Sequence, residues 1–114
     1  MIKFLTLLSL SHENMAAAIS AGGERDPEAA VRAGMEAFGG TLVSMYAVDS
    51  GGYDMVSISQ FPDQVTARAC MAMFKATGVT TRADGYVISS VEDHRKAMGM
   101  AKEKMGAYTP PAKR

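Results

Sequence analysis

The sequence predicts one α+β domain in which helices cover one face of a four-stranded antiparallel sheet. Its 114 residues suit one domain, because single domains most often contain about 100–150 residues. Hydrophobic residues make up 47% of the chain, which is enough to form a core and argues against disorder. Runs rich in β-branched and aromatic residues alternate with Ala- and Met-rich runs, and Pro, Asp and Gly residues separate them. This alternation predicts strands and helices in turn.

In the first half of the chain, the pattern predicts a strand, one or two helices, and a hairpin. Ser11 and Asp26 are typical helix caps, and the proline after Asp26 suits a first helical position. Gly pairs at 22–23 and 39–40 end the helical runs, which are either one broken helix or two. The Ser-Gly-Gly run at 50–52 predicts an antiparallel hairpin. The expected strands are Ile2–Leu10, Thr41–Val48 and Asp54–Phe61.

In the second half, the pattern predicts a helix, a strand and a final helix. Pro62-Asp63 starts the first of these and Gly78 ends it, with Val65, Ala69 and Met73 in its apolar stripe. A strand then runs from Val79 to Ser90, and a helix begins at about Glu92. The tail contains Pro110-Pro111, which disfavours a helix.

The order strand, helix, strand, strand, helix, strand, helix is the ferredoxin-like βαββαβ plan with an extra C-terminal helix. It predicts an antiparallel four-stranded sheet with helices on one face. The expected division is residues 1–92 for the ferredoxin-like domain, 93–107 for the appended helix and 108–114 for a flexible tail.

The uncovered face of the sheet is expected to form an interface. In the third strand, Val56 and Ile58 are predicted to face the core, with Ser57 and Ser59 on the other side. Apolar side chains of the first two strands are expected on the uncovered face, and such a patch marks an interface. We therefore expect a homo-oligomer through this sheet face, most simply a two-fold dimer. The patch contains Leu5 and Leu7, or the opposite side chains of that strand, with Val43, Met45 and Ala47.

Charge and cysteine content exclude several classes of protein. Twelve basic residues balance twelve acidic ones, so no net field attracts nucleic acid or an anionic membrane. One Cys excludes an intrachain disulfide, and two His leave no zinc-ligand pattern, so neither a metal nor a cofactor is predicted. The apolar run from Phe4 to Leu10 is too short for an export signal or a membrane span, so a cytoplasmic location is expected.

The chain resembles the GYD domain family over about residues 1–92. The resemblance lies in Gly52-Tyr53-Asp54 together with the runs that precede and follow it: Gly39-Gly40-Thr41-Leu42, Phe61-Pro62-Asp63 and Thr77-Gly78-Val79. It implies a bacterial or archaeal protein similar to the dimeric α/β barrels built from ferredoxin-like units, with no settled activity. For Gly52, Tyr53 and Asp54 themselves, a structural role in the turn is favoured over a ligand-binding one, because turn residues are often set by geometry.

Polar side chains of the last strand are the best candidates for a ligand site. Arg82, Asp84 and Tyr86 project from one face and, with Tyr46 and Tyr53 from the hairpin, predict a small polar pocket. The alternative is an ion pair beside an interface tyrosine.

Other reactive residue types are assigned structural roles. Cys70 is predicted to be a small buried hydrophobic residue. The ten methionines could indicate Cu(I), but they are scattered along the chain, which favours packing.

Three functions remain open. The favoured one is a non-catalytic, homo-oligomeric module for small-ligand binding or assembly. The second is an enzyme resembling the cofactor-free monooxygenases on dimeric α/β barrels, acting on a small apolar or aromatic substrate through His12, Tyr53, Asp54 and Arg82. The third is an accessory subunit that docks to a larger complex through the apolar side of the C-terminal helix, at Met98, Ala101 and Met105.

Overall fold

The computed structural model describes residues 1–49 and 51–113 and confirms the predicted fold class. Four antiparallel strands form one sheet in the order β2-β3-β1-β4. The connection between β1 and β2 holds two separate helices. Ser50 of the predicted hairpin turn and Arg114 of the tail lie outside the described residues. The elements are β1 Ile2–Leu10, α1 His12–Ser20, α2 Pro27–Glu36, β2 Thr41–Ala47, β3 Met55–Phe61, α3 Gln64–Ala76, β4 Thr80–Ile88 and α4 Val91–Lys104.

All four helices begin at a side-chain cap. In each, the cap oxygen accepts a hydrogen bond from the backbone N–H three residues later, which satisfies one of the unpaired donors of the first turn. The sequence predicts two of these caps, Ser11 and Asp26. The cap and donor pairs are Ser11 with Asn14, Asp26 with Ala29, Asp63 with Thr66, and Ser90 with Asp93.

The core lies between the sheet and helices α2 and α3. The ring of Phe61 is fully buried and packs edge-to-face on Phe4, with 6.0 Å between the centroids. Cys70 is fully buried, as predicted, and burial raises the pKa of its thiol to about 11. The predicted stripe of α3 is wrong, because Val65 is 75% exposed and Ala67 is buried instead. The core cluster consists of Met35, Leu42, Phe61, Ala67 and Cys70.

The prediction for the two faces of β3 is wrong. Ser57 and Ser59 are each 1% exposed and face the helices, and they pair with Thr6 and Phe4 of β1. Side chains alternate along a strand, so the buried ring of Phe61 puts every second residue before it on the helix side. Val56 and Ile58 therefore lie on the other face, which no helix of the described residues covers and which is called the open face below.

An irregularity in β2 overturns the predicted interface residues of that strand. The register against β3 shifts between Leu42 and Ser44, so Val43 is the extra residue of a bulge. After the shift, Met45 pairs with Ser57 and so lies on the helix side with Leu42. Met45 packs against the core rather than belonging to the open face.

The open face is nonetheless apolar at its centre. Two rows of side chains cross it from β2 to β4, and each row carries two aliphatic residues on the central strands. The rows are Tyr46, Val56, Leu7 and Asp84, and then Ser44, Ile58, Leu5 and Tyr86.

Helix α4 projects from the body of the protein. Every residue of α4 is exposed, and the molecule measures 62 × 30 × 24 Å. A 3₁₀ turn then spans Met105–Ala107, and a second spans Pro111–Lys113, where the prolines predicted no helix. Pro is tolerated there because it opens the turn, where its missing N–H would have no partner. Within the described residues, no helix has the length and apolarity to cross a membrane.

Candidate functional site

The segment Gly52–Asp54 ties the β2–β3 turn to the end of β1. The Ser9 hydroxyl donates to the carbonyl oxygen of Gly52, which has a φ of +78° that favours glycine. The Asp54 N–H donates to the Leu8 carbonyl at 2.7 Å. The Asp54 carboxylate in turn accepts from the Leu10 N–H at 2.8 Å. These bonds fix the turn at the end of the sheet where β1 finishes.

Tyr53, Arg82 and Asp84 form one polar cluster on the open face. The Tyr53 hydroxyl donates to Oδ2 of Asp84 at 2.5 Å, and Nε of Arg82 donates to the same oxygen at 2.9 Å. The guanidinium of Arg82 also lies over the Tyr53 ring, with 4.6 Å between its Cζ and the centroid. The structure thus brings together three of the five predicted ligand residues.

The cluster fixes the protonation of its members near neutral pH. The hydrogen bond to Asp84, followed by burial, raises the pKa of Tyr53, and the Arg82 charge only partly opposes this. The hydrogen bond from Tyr53, aided by Arg82, lowers the pKa of Asp84 against the opposing effect of burial. Tyr53 is therefore a protonated donor, Asp84 is a carboxylate, and neither is poised as a general base or acid at pH 7.

The other predicted site residues lie apart from this cluster or at its border. Tyr86 lies two residues beyond Asp84 on the same strand and face. Tyr46 is on the open face but on β2, three strand spacings or about 14 Å from Asp84. His12 is an exposed first residue of α1, and no hydrogen bond or ion pair links it to Tyr53, Asp54 or Arg82 in the described chain.

A cavity of about 600 Å³ lies on the helix side of the same end of the sheet. Its walls come from α1, α2, α3 and the ends of the strands, and most of them are apolar. Arg25, Asp26 and Asp49 are exposed and line its opening. Asp54 also lines the cavity, whereas its neighbour Tyr53 joins the cluster on the open face. The volume is in the range of small-molecule sites. The sequence predicts a polar pocket around Arg82 and Asp84 but not this cavity.

Two hydroxyl groups of the cavity wall have no hydrogen-bond partner. Ser57 is fully buried, and its Oγ is unpaired among the described residues, as is Oγ1 of Thr80. Ser59 on the same strand is equally buried and unpaired but does not line the cavity. An unpaired buried hydroxyl is costly, so a polar atom of a ligand would gain from reaching Ser57.

Acidic, histidine and cysteine side chains form no group of three that could hold a metal ion within residues 1–49 and 51–113. Instead, five of the ten methionines line the cavity. No sequence spacing reveals this, because each of the five lies on a different element.

Comparisons with known proteins agree with the resemblance seen in the sequence. The GYD domain matches residues 4–98, which includes the first half of α4. No curated protein matches the chain. One similar solved structure is that of an Agrobacterium tumefaciens protein, with 12% identity and a TM-score of 0.43, covering 78% of this chain and 92% of that one. Another is an uncharacterised NIPSNAP-like domain protein from Burkholderia xenovorans, with 13% identity and a TM-score of 0.41, covering 78% and 84%.

Proposed function

The chain belongs to the GYD domain family, and on that premise we propose that it is a non-catalytic, homo-oligomeric module that binds a small apolar ligand in the cavity beside the sheet. The observation that carries the proposal is the buried, unpaired hydroxyl of Ser57 in a mostly apolar wall. Apolar walls with a few converging polar groups are the usual design of small-molecule sites. The ligand therefore needs one hydrogen-bonding group on an apolar body.

The arrangement of Tyr53, Arg82 and Asp84 supports a role without catalysis. Their polar groups bond to one another, and the pKa shifts keep Tyr53 protonated and Asp84 ionised. The cluster holds the hairpin against β4 and leaves the enzyme alternative without a paired acid and base. His12 lies outside this cluster and does not supply the missing partner.

The open face supports self-association. Its centre carries four aliphatic side chains, those of Leu5, Leu7, Val56 and Ile58, although no helix of the described chain covers them. A second copy offers the same apolar surface and can pack on it face to face about a two-fold axis.

The cysteine content supports a location in a bacterial cytoplasm. The single thiol, that of Cys70, is buried and forms no disulfide bond, which suits the reducing conditions of that compartment.

The exposed helix α4 supports a second candidate role as an accessory subunit. An isolated helix of 14 residues is marginal in water, so α4 needs a surface to pack on. Its apolar residues Met98 and Met100 are exposed, as is Met105 in the 3₁₀ turn that follows. In this role α4 binds a larger partner while the rest of the domain folds without it.

Ligand binding can be tested with N-phenyl-1-naphthylamine, an apolar amine that fluoresces when it leaves water and whose N–H can donate to Ser57. We expect saturable binding to the wild-type protein. Ser57→Ala should weaken it about fivefold, because one net hydrogen bond contributes about 1 kcal/mol. Ser59→Ala is the matched control, since it removes an equally buried, unpaired hydroxyl outside the cavity.

Both variants should remain folded, because deleting an unpaired buried hydroxyl removes a desolvation cost rather than a bond. Absence of saturable binding to the wild-type protein would overturn the proposed ligand site. Equal affinities for the Ser57 and Ser59 variants would show that Ser57 does not contact the ligand.

A further inference from the structure

The five methionines of the cavity wall come from five different elements. They lie on three helices and two strands, so each of these five elements contributes one thioether to the wall. They are five of the 23 lining residues and half of all methionines in the chain. The five are Met15 of α1, Met35 of α2, Met45 of β2, Met55 of β3 and Met71 of α3.

The chemistry of thioethers favours one class of apolar ligand. A methionine sulfur is polarisable and makes favourable contacts with the edges of aromatic rings. The unbranched side chain also adapts its shape to a rigid, flat molecule. Among the described residues that line the cavity, only Phe74 is aromatic, so the wall itself supplies few rings for these sulfur atoms. A saturated ligand would gain nothing from sulfur that leucine could not provide.

Burial separates these methionines by role. Met35 is 1% exposed and belongs to the core cluster, so its packing is explained without a ligand. The other four, Met15, Met45, Met55 and Met71, are only partly buried, although all of them line the cavity. Their remaining surface is free to contact a bound molecule. Met55 also lies on the same strand and face as Ser57, two residues away, so a ring against Met55 brings its substituent close to the hydroxyl.

We propose that the ligand is a planar aromatic compound with a hydroxyl or carbonyl group. Its ring contacts the sulfur atoms of Met45, Met55 and Met71, and its polar group forms a hydrogen bond with Ser57. This inference rests on the proposed function and specifies the ligand class of the same cavity.

The test compares 1-naphthol with decahydro-1-naphthol, which keeps the two fused rings and the hydroxyl but has no aromatic electrons. Isothermal titration of the full chain should show 1-naphthol binding at least about eightfold more tightly than decahydro-1-naphthol. One sulfur–aromatic contact contributes between about twofold and tenfold in affinity. The combined Met45→Leu, Met55→Leu and Met71→Leu variant should therefore lose this preference, while its affinity for decahydro-1-naphthol stays the same.

Leucine nearly conserves the volume of methionine, so the variant should keep its fold. The matched control replaces three exposed methionines of α4 and of the 3₁₀ turn that follows it, by Met98→Leu, Met100→Leu and Met105→Leu, and should bind both alcohols as the wild type does. If the cavity variant unfolds, the three single variants test the inference instead. Each should bind 1-naphthol about twofold or more weakly than the wild type and bind decahydro-1-naphthol with unchanged affinity.

The outcomes separate the inference from the function on which it rests. If the wild type binds both alcohols equally, or if the cavity variant keeps the preference for 1-naphthol, the aromatic ligand class is wrong and the cavity remains a ligand site. If the wild type binds neither alcohol nor N-phenyl-1-naphthylamine, the proposed function itself is wrong. Binding of the amine alone would show that the proposed ligand class is wrong while the cavity remains a ligand site.

Discussion

Replacing Val56 by Asp tests both the orientation of β3 and the proposed interface. The sequence pattern puts this side chain in the core, whereas the structure places it on the open face between Leu7 and Tyr46. In the core, a lone carboxylate would lower the free energy of unfolding by more than about 4 kcal/mol, which is most or all of the stability of a marginally stable small domain. On the open face, the folded monomer should lose only about 1 kcal/mol, the range of strand propensities. The variant therefore stays folded if the structure is right.

Self-association should respond far more strongly than folding. A two-fold dimer contains two copies of residue 56, and a lone carboxylate in an apolar interface costs at least about 2 kcal/mol. The two copies together weaken dimerisation by about 4 kcal/mol, or roughly a thousandfold in Kd. Sedimentation equilibrium measures this Kd, and urea unfolding followed by circular dichroism measures the stability of the fold.

The control is Val65→Asp, the same substitution at an exposed position of α3 on the other side of the sheet. It should change neither the Kd of dimerisation nor the free energy of unfolding. Two results would contradict these expectations. If the Val56→Asp protein is unfolded while the Val65→Asp protein is folded, Val56 lies in the core and not on the open face. A Val56→Asp protein with the Kd of the wild type would show that the open face is not the interface.

Three further predictions follow from individual contacts. Gly40→Ala should lower the free energy of unfolding, measured by urea titration, by about 1–3 kcal/mol, because a Cβ at this position overlaps the buried ring of Phe61. An unchanged free energy of unfolding would mean that the ring moves aside easily. Asp84→Asn should lower the pKa of Tyr53 towards its ordinary value in an ultraviolet titration of the tyrosines, since the hydrogen bond to Asp84 is the main cause of its rise; an unchanged titration would contradict this bond. Ending the chain after Val91 should leave the melting temperature within about 4 °C of the full-length value, equivalent to about 1 kcal/mol, because α4 is exposed along its whole length; a larger drop would show that α4 packs on the body.

The pH dependence of the Tyr53–Asp84 bond follows from the two shifts. The folded pKa of Asp84 is lowered, so its contribution to stability is present above the unfolded pKa and is lost as pH falls through the folded value. The folded pKa of Tyr53 is raised, so its contribution is present below the unfolded pKa and is lost as pH rises through the folded value. The hydrogen bond between Tyr53 and Asp84 is therefore intact across the neutral pH range. Asp84→Asn should abolish the loss of stability that the protonation of Asp84 causes at acidic pH.

Local signals predicted most of the chain. Helix caps such as Asp26 act within one turn, and turn glycines such as Gly78 act through their own φ, so both can be recognised from neighbouring residues alone. The order of the elements then restricted the topology to the observed sheet. The Gly-Tyr-Asp segment was also visible in the sequence, and with its neighbours it led to the family.

Other features depended on contacts between distant segments. In β3 the alternation is regular, but the hydrophobic residues predicted the wrong face as the buried one. Ser57 and Ser59 lie beneath the helices, whereas Val56 and Ile58 lie on the open face. In β2 the bulge at Val43 reverses the faces of the residues that follow, and only pairing with β3 shows it.

The sequence by itself determined the four strands, the order of the elements, the family and the placement of Arg82 and Asp84 on one strand face, because these depend on residues close together in the chain. Only the tertiary structure decided which face of the sheet is open and which methionines share a cavity. Met15 and Met71 lie on different helices and meet at the same cavity only when both helices pack on the sheet. Such convergence is set by packing across the whole domain, and no local pattern records it.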